Sequence, residues 1–549
     1  MITPAPSARL PRLPQRPIVS AAALNGLVAL FIMVACNDTF WQHGYRLFEG
    51  QLGTLAAFGA SVWALTLLVI TLLGFRWLQK PVLVLLLTLS AVTSFYVDTL
   101  GVVIDREMIQ NAVTTTVTES KHLITPAFLT HVALFGLLPA AMVLWVRVRP
   151  QPLARDLLRH AGLAGLAAAL CVGLLMTDFK TYSVVLRGNK ELMAAYQPGA
   201  PLSGALRYLR MIQKSREIVV APLGRDARPG PLLQAASKPV LTVIVAGETA
   251  RAQDFGLNGY ARDTTPELAA RDVIAFTDVT SCGTATAVSL PCMFSQLGRT
   301  DYSYERGEAR ENLLDVLTHA GVHVEWWDNN TGDKHIAARV PSRQMIALND
   351  PAFCHDGECD DGIFLGALQD LAETMTKDTV VVLHQIGSHG PAYHLRYPKT
   401  HERFTPACQS AELTSCTDAE IRNAYDNTIA YTDHVLASTI DMLAAQDRVI
   451  PALLYVSDHG ESLGEGGLYL HGAPWFMAPE TQTRVPMVMW LSEAYKSAFG
   501  LDVACLSARA GQPASHDNLF HTALGMMDIQ TGARRDGLNL FAGCHRTPG

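Results

Sequence analysis

Val240-Leu-Thr-Val-Ile-Val-Ala246 is an unbroken apolar, β-branched run that stops at Gly247, Glu248 and Thr249. Two more runs are built alike. Thr379-Val-Val-Val-Leu383 is followed by His384 and then Gly387-Ser-His-Gly390, and Ala452-Leu-Leu-Tyr-Val456 by Ser457, Asp458, His459 and Gly460. Runs this short, without polar alternation, suit central strands of a parallel sheet covered on both faces. Helical stretches are expected at 309–320 and 418–446, between the runs. The predicted fold is a doubly wound α/β domain over 238–549. In such sheets ligands bind beyond the carboxyl ends of the strands. Glu248, His389, Asp458 and His459 would then share one crevice, and carboxylates with imidazoles but no thiolate suit a catalytic zinc. Singly, Asp458 reads as well as a helix cap and His389 as a loop histidine. Repetition at three strand ends makes the case.

Upstream of the second run, Ser281-Cys-Gly-Thr-Ala-Thr-Ala-Val-Ser289 is dense in hydroxyls and precedes a predicted helix. A helix N-terminus offers free N–H groups to an anion such as phosphate. A threonine oxygen beside zinc loses its proton more readily and becomes a nucleophile. Simple helix capping would explain the same hydroxyls equally well.

The first third is different. Windows 17–37, 50–75, 81–97, 122–146 and 160–177 contain no Asp, Glu, Lys or Arg. Each approaches or exceeds the length needed to cross a bilayer core, whereas soluble helices this long carry a charged face. A cleaved signal peptide would explain the first window but not the other four. Five transmembrane helices are therefore expected over 1–178, then bridging amphipathic helices and a linker over 179–237. Arg9, Arg12, Arg16, Arg76, Lys80, Arg147, Arg149, Arg155 and Arg159 fall on one side of these spans, and Arg46, Arg106 and Lys121 on the other. The positive-inside bias puts the N-terminus in the cytoplasm and everything after about residue 178 outside. The net charge of -7 and the scattered basic residues argue against nucleic-acid binding.

Eight of the ten cysteines follow residue 280. Cys282 with Cys292, Cys354 with Cys359, and Cys408 with Cys416 form close pairs that read as disulfides in an external compartment. Pairing of Cys505 with Cys544 is the weaker expectation. No C-x-x-C spacing occurs, which disfavours a thiolate zinc site.

Glu248-Thr-Ala-Arg251, Ser281-Cys-Gly-Thr-Ala-Thr-Ala-Val-Ser-Leu-Pro-Cys-Met-Phe-Ser295, Trp327-Asp-Asn-Asn330, His384-Gln-Ile-Gly-Ser-His-Gly-Pro-Ala-Tyr393, Ala424-Tyr-Asp-Asn427 and Ser457-Asp-His-Gly-Glu-Ser-Leu-Gly464 closely resemble the motifs of the lipid A phosphoethanolamine transferases. That family includes the mobile colistin-resistance enzymes and has the alkaline phosphatase/sulfatase fold. The resemblance runs over nearly the whole chain, spans included.

It implies a zinc enzyme of the inner membrane of a Gram-negative bacterium, its catalytic domain in the periplasm. Such an enzyme transfers phosphoethanolamine from phosphatidylethanolamine to a lipid A phosphate through a phosphoethanolamine–threonine intermediate, and confers polymyxin resistance. By position, Glu248, Asp458 and His459 match the zinc ligands. Thr286 matches the nucleophile, which also touches zinc. His389 and His471 match histidines near the transferred phosphate or a second zinc. Lys334 matches a phosphoethanolamine-binding residue, with Thr331 where relatives often carry Ser. Trp327 and His335 depart from the common pattern. Asn111, Thr115 and Glu119 are spaced four apart, one polar stripe if helical. A wet helix face explains the spacing; the resemblance makes them the ethanolamine end of the donor site. A monomer is expected. Other acceptors within the resemblance are Kdo, heptose or glucan sugars. A phosphoglycerol transferase or phosphatase of the same fold is the rival enzyme.

Overall fold

The computed structural model describes residues 16–115, 117–216 and 218–545, apart from the side chains of 117–119. Arg9 and Arg12 lie outside the described residues, as does the side chain of Glu119. Contacts divide the chain into two compact units: residues up to Asp98 with Pro126–Ala200, and Thr99–Thr125 with Pro201–Gly549.

The first unit is helical: α1 (Ala21–Ala35), α2 (Asp38–Leu47), α3 (Leu52–Leu73) and α4 (Gln79–Leu100). After α5 (Arg106–Thr114) and α6 (Val117–His122), which belong to the second unit, come α7 (Pro126–Trp145), α8 (Leu153–Thr177) and α9 (Phe179–Gly188). Among the described residues, four helices are long and apolar enough to cross a membrane. The first window differs from the expected single span: α1 ends at Ala35, and the chain bends by 70° into α2. Only if that bent pair is one span does the count reach five. The break follows from the local sequence, since Asn37 and Asp38 follow Cys36 and open a helix with a charged first turn. Inside the unit, Phe40 and Phe58 stack, and Phe48 and Tyr182 pack against Phe58. Gln79 Nε2 donates to Asn25 Oδ1 across helices at 2.8 Å, the kind of bond that joins helices where apolar packing alone gives no driving force. Leu27, Leu30, Leu72, Leu85 and Leu166 point outward and exposed.

The second unit is built on a seven-stranded sheet: β1 (Val240–Gly247), β2 (Val273–Phe276), β3 (His323–Asp328), β4 (Ser342–Gln344), β5 (Thr379–His384), β6 (Ile450–Ser457) and β7 (Met487–Leu491), in the order β2-β7-β6-β1-β5-β3-β4. All neighbours pair in parallel except around β7, antiparallel to β6 and β2. Every residue of β1, β5 and β6 is buried. Val240, Ile244 and Ala246 enter one apolar cluster and Leu241, Val243 and Val245 the other, so helices cover both faces. That two-sided burial is why these strands lack polar alternation. Register aligns their ends: Gly247 pairs with Ser457, and Ala246 with both Val456 and His384. Of the expected helices, 309–320 contracts to Leu313–His319, and 418–446 is Asp418–Ala444 with Thr417 and Glu420 forming a capping box.

All three expected disulfides are formed, and Cys505 is bonded to Cys544. The expected stripe on one helix is corrected. α5 (Arg106–Thr114) ends where Thr115 turns extended (φ -70°, ψ 145°), and α6 (Val117–His122) starts anew. Thr115 Oγ1 donates back to the Asn111 carbonyl at 2.7 Å. A run of threonines, with branched side chains and hydroxyls competing for backbone bonds, is a poor helix interior.

Candidate functional site

Glu248, the first residue beyond β1, and Asp458 and His459, just beyond β6, are fully buried and form the one group among the described residues that could hold a metal ion. Aligned register explains their meeting. The His459 ring is set by its Nδ1, 2.9 Å from the Gly460 carbonyl. That nitrogen carries the hydrogen, leaving Nε2 with a free lone pair. Nε2 lies 3.4 Å from Glu248 Oε1 and 3.3 Å from Asp458 Oδ2. Asp458 Oδ1 accepts from the Thr249 and His459 amides at 3.1 and 2.7 Å, while its Oδ2 is buried with no hydrogen bond. Burial and the Glu248 charge push the Asp458 carboxyl above its usual range. Two neighbouring buried carboxylates, one oxygen unpartnered, beside an imidazole lone pair fit a divalent cation. Oxygen and nitrogen donors without sulfur fit zinc in a catalytic setting.

Thr286 opens α10 (Thr286–Met293) rather than preceding it. Its hydroxyl donates toward Glu248 Oε1 and Oε2 at 3.2 and 3.1 Å and lies 3.2 Å from His459 Nε2. Thr284 is turned away, donating to the Ala473 carbonyl at 2.7 Å. The Cys282–Cys292 disulfide joins the preceding turn to this helix.

The backbone behind Glu248 is over-determined. Thr249 takes φ +60°, unusual for a β-branched residue. Its amide is held by Asp458 and its carbonyl accepts from the Tyr425 hydroxyl at 2.7 Å. Strain of this kind persists where surroundings fix it. Gly387 adopts φ +49°, and a Cβ there would sit 2.6 Å from the Glu248 carbonyl oxygen, so no other residue fits.

His471 and His389 adjoin the group. The His471 ring centre lies 4.4 Å from that of His459 and 5.6 Å from that of His389. Burial would lower the His471 pKa, but Glu461, 2.9 Å from its Nδ1, raises it above the usual value. Glu461 in turn accepts from the Tyr393 hydroxyl at 2.6 Å. Lys334 Nζ donates to the carbonyl and hydroxyl of Thr331 at 2.8 and 2.7 Å and reaches the Thr114 carbonyl at 3.5 Å. Beside it opens a cavity of about 360 Å³ lined by Gln110, Thr114, Tyr208, Ala287, Lys334 and His335. Ala287 follows the Thr286 hydroxyl, so the end of α5 borders the candidate site. Gln110 and Thr114, not Asn111 and Thr115, line that cavity.

Four supporting residues lay outside the sequence reading. Asn330 donates to Glu248 Oε2 and to the Gln385 carbonyl, both at 2.8 Å, and so orients the carboxylate. Asp361 accepts from the Ile386 and Gly387 amides at 2.9 Å and shapes the turn after β5. His516, which burial holds neutral by lowering its pKa to about 4, accepts from the Cys282 amide and donates to the Ser457 carbonyl. It ties the Thr286 turn to β6. Glu461 is the fourth. Asn330 and Glu461 sit inside quoted motifs and were within reach; Asp361 and His516 carry no local signal.

Residues 62–212 match the model of the phosphoethanolamine transferases EptA/EptB, and residues 241–529 the sulfatase model. The phosphoethanolamine transferase EptA of Escherichia coli K12 is 37% identical over 544 residues, covering 98% of this chain and 99% of its own. The phosphatidylethanolamine transferase Mcr-1 of Escherichia coli is 35% identical over 534 residues, covering 94% and 97%. Among solved structures, the integral membrane lipooligosaccharide phosphoethanolamine transferase A of Neisseria meningitidis superposes with a TM-score of 0.93 at 35% identity, over 97% of this chain and all of that one.

Proposed function

The chain belongs to the lipid A phosphoethanolamine transferase family of the alkaline phosphatase/sulfatase superfamily, and on that premise we propose that it moves phosphoethanolamine from phosphatidylethanolamine to a phosphate of lipid A through a covalent threonine intermediate. The observation that carries this reading is Thr286 Oγ1 held within 3.2 Å of both Glu248 oxygens and of His459 Nε2. A hydroxyl so placed, on the first residue of a helix, has the surroundings of an activated nucleophile.

Glu248, Asp458, His459 and Thr286 would hold a zinc ion, and the chemistry supplied by the bound zinc is a lowered pKa at the Thr286 hydroxyl and an offset for charge on the phosphoryl oxygens. Thr286 Oγ attacks the phosphorus of the donor; the Oγ–P bond forms, and the bond from phosphorus to the diacylglycerol oxygen breaks. His389 or His471 gives the leaving oxygen its proton. A lipid A phosphate oxygen then attacks the same phosphorus, losing its proton to that histidine, and the P–Oγ bond breaks. Lys334 offsets phosphate charge in both steps. Asn111, Thr115 and Glu119 meet the ethanolamine end of the donor, where a carboxylate such as Glu119 suits an ammonium group.

Both substrates are lipids, which gives the apolar helices a purpose. We read five spans with α1 and α2 as one broken span, a cytoplasmic N-terminus and a periplasmic second unit. One chain carries every group used, so a monomer suffices. The likeness to EptA and Mcr-1 over nearly the whole chain supports a lipid A phosphate as the acceptor. Mass spectrometry of lipid A from cells expressing the chain tests the reading. A gain of one phosphoethanolamine group is expected with the parent sequence and none with Thr286→Ala. Unmodified lipid A with the parent, or modified lipid A with the variant, overturns it.

A further inference from the structure

Glu358 and Arg396 are among neither the metal-holding nor the phosphate-binding candidates, yet Arg396 is buried and Glu358 half-buried against it. Arg396 is 3% exposed. Its Nε donates to the His389 backbone carbonyl at 2.9 Å, and its two terminal nitrogens donate to the two oxygens of Glu358 at 3.0 and 3.3 Å. Glu358 stands on a two-residue hairpin strand, Glu358–Cys359, paired with Cys354–His355 and closed by the Cys354–Cys359 disulfide. From the other side, Glu358 Oε2 lies 3.4 Å from Nε2 of His122, the last residue of α6. That is an ion-pair distance, without hydrogen-bond geometry. The residue before it, Lys121, donates to the Asp356 carbonyl in the turn of the same hairpin at 3.1 Å. Burial would raise the Glu358 pKa, but His122 and Arg396 hold it down at about 2, so the carboxylate stays charged. Hairpin and site share the walls of a cavity of about 140 Å³, among them Asn330, Thr331, Glu358, His389 and Arg396.

These contacts form one unbroken line from α6, through the hairpin carboxylate and a guanidinium, to the backbone of His389. We propose that Glu358 and Arg396 are positioning residues that lock the 99–125 segment and His389 into one arrangement, so that the arm meeting the donor lipid and the histidine handling the leaving-group proton are set together. This rests on the roles given above to His389 and to that segment. Arg396 suits the task for geometric reasons. A planar guanidinium grips a carboxylate with two parallel N–H bonds and still has Nε free for a carbonyl; a lysine ammonium offers no such fork. Removing one partner would leave the other charge buried and uncompensated.

The test uses the full-length enzyme in lipid–detergent micelles, with phosphatidylethanolamine or a water-soluble aryl phosphoethanolamine ester as donor. His122→Ala and Glu358→Gln should each raise KM for the lipid about fivefold, and the double variant should be no worse than Glu358→Gln alone, because contacting residues in one network are not additive. The loss should be larger with the lipid than with the ester. Arg396→Lys should lower kcat about tenfold with both donors, as small misplacements of a catalytic group do, and shift one limb of the pH–rate profile, with bound zinc at the parental level. Multiplying KM effects in the double variant, or equal losses with lipid and ester in the His122 and Glu358 variants, would overturn the proposal, as would an unchanged kcat and pH profile in Arg396→Lys. Should Arg396→Lys not fold, the His122 and Glu358 cycle decides. Failure of the functional reading itself would show separately, as full activity in Thr286→Ala.

Discussion

The ends of β1 and β6 and the 99–125 segment both border the site, but they are held there by different means. Glu248, Asp458 and His459 leave strands whose every residue is buried and whose register is set by ladder bonds along their length. Shifting one strand by a residue would exchange the side chains that its two buried faces receive and carry the carboxylate at its end out of the group. Thr99–Thr125 has no such frame. Its helices are nine and six residues long, broken at Thr115, and side-chain bonds such as Lys121 to Asp356 hold the end of α6 in place. If the proposed function holds, the difference teaches that metal chemistry is built into the sheet, whereas donor recognition is attached to it.

Variants can break that contrast or sharpen it. The largest effect is expected at the sheet end. Thr286→Ala should cut transfer by at least about 10⁴-fold, as loss of a nucleophile does elsewhere, without loss of folding. Single-turnover assays with labelled donor, trapping the covalent adduct, measure it. An adduct in the variant would reject Thr286 as the attacking group.

Next come the metal-holding candidates. Asp458→Ala and Glu248→Ala should each lower bound zinc and activity together, and chelation should lower the Tm of the parent, because an ion that binds only the folded state stabilises it. Elemental analysis beside a thermal melt gives both readouts. Full zinc occupancy in Asp458→Ala would mean the group holds something else. Asn330→Ala, which frees Glu248 Oε2 without removing a ligand, should cost about 10- to 100-fold, the usual range for a residue orienting a metal ligand.

The donor segment should respond more selectively. Glu119→Ala should lose most lipid A modification while zinc content and slow cleavage of a soluble ester persist. A thermal melt of the variant separates loss of recognition from loss of folding. Equal losses with lipid and soluble donors would erase the distinction between the two regions.

The smallest effects on activity belong to the disulfides, which divide the same way. Cys505 and Cys544 are 39 residues apart, and the loop-entropy estimate for losing their bond is about 4 kcal/mol. Cys282 and Cys292 are 10 apart, worth about 3 kcal/mol on the same scale. Replacing the long-range pair by alanines should lower stability more and leave kcat near the parent. Replacing Cys282 and Cys292 should lower stability less but reduce kcat, since that bond joins the Thr286 turn to its helix. Chemical denaturation beside kcat separates them; a larger kcat loss from the long-range pair would reverse the assignment.

Much of this was legible in the chain. Three apolar runs of parallel-strand build, each ending in a carboxylate or imidazole, imply the α/β domain and the group Glu248, Asp458 and His459, because burial on both faces writes itself into composition and strand ends gather whatever follows them. Apolar windows likewise record a bilayer, and local cysteine spacing records short loops. Other features exist only in three dimensions. The placing of Gln110 and Thr114 in the cavity beside Lys334 depends on what the end of α5 packs against. His516, Asp361, Glu358 and Arg396 reach the site from distant turns and a hairpin, and no local pattern marks them. Periodicity reports which face of an element is buried; which side chain from 200 residues away completes a hydrogen bond is decided only when the layers close on one another.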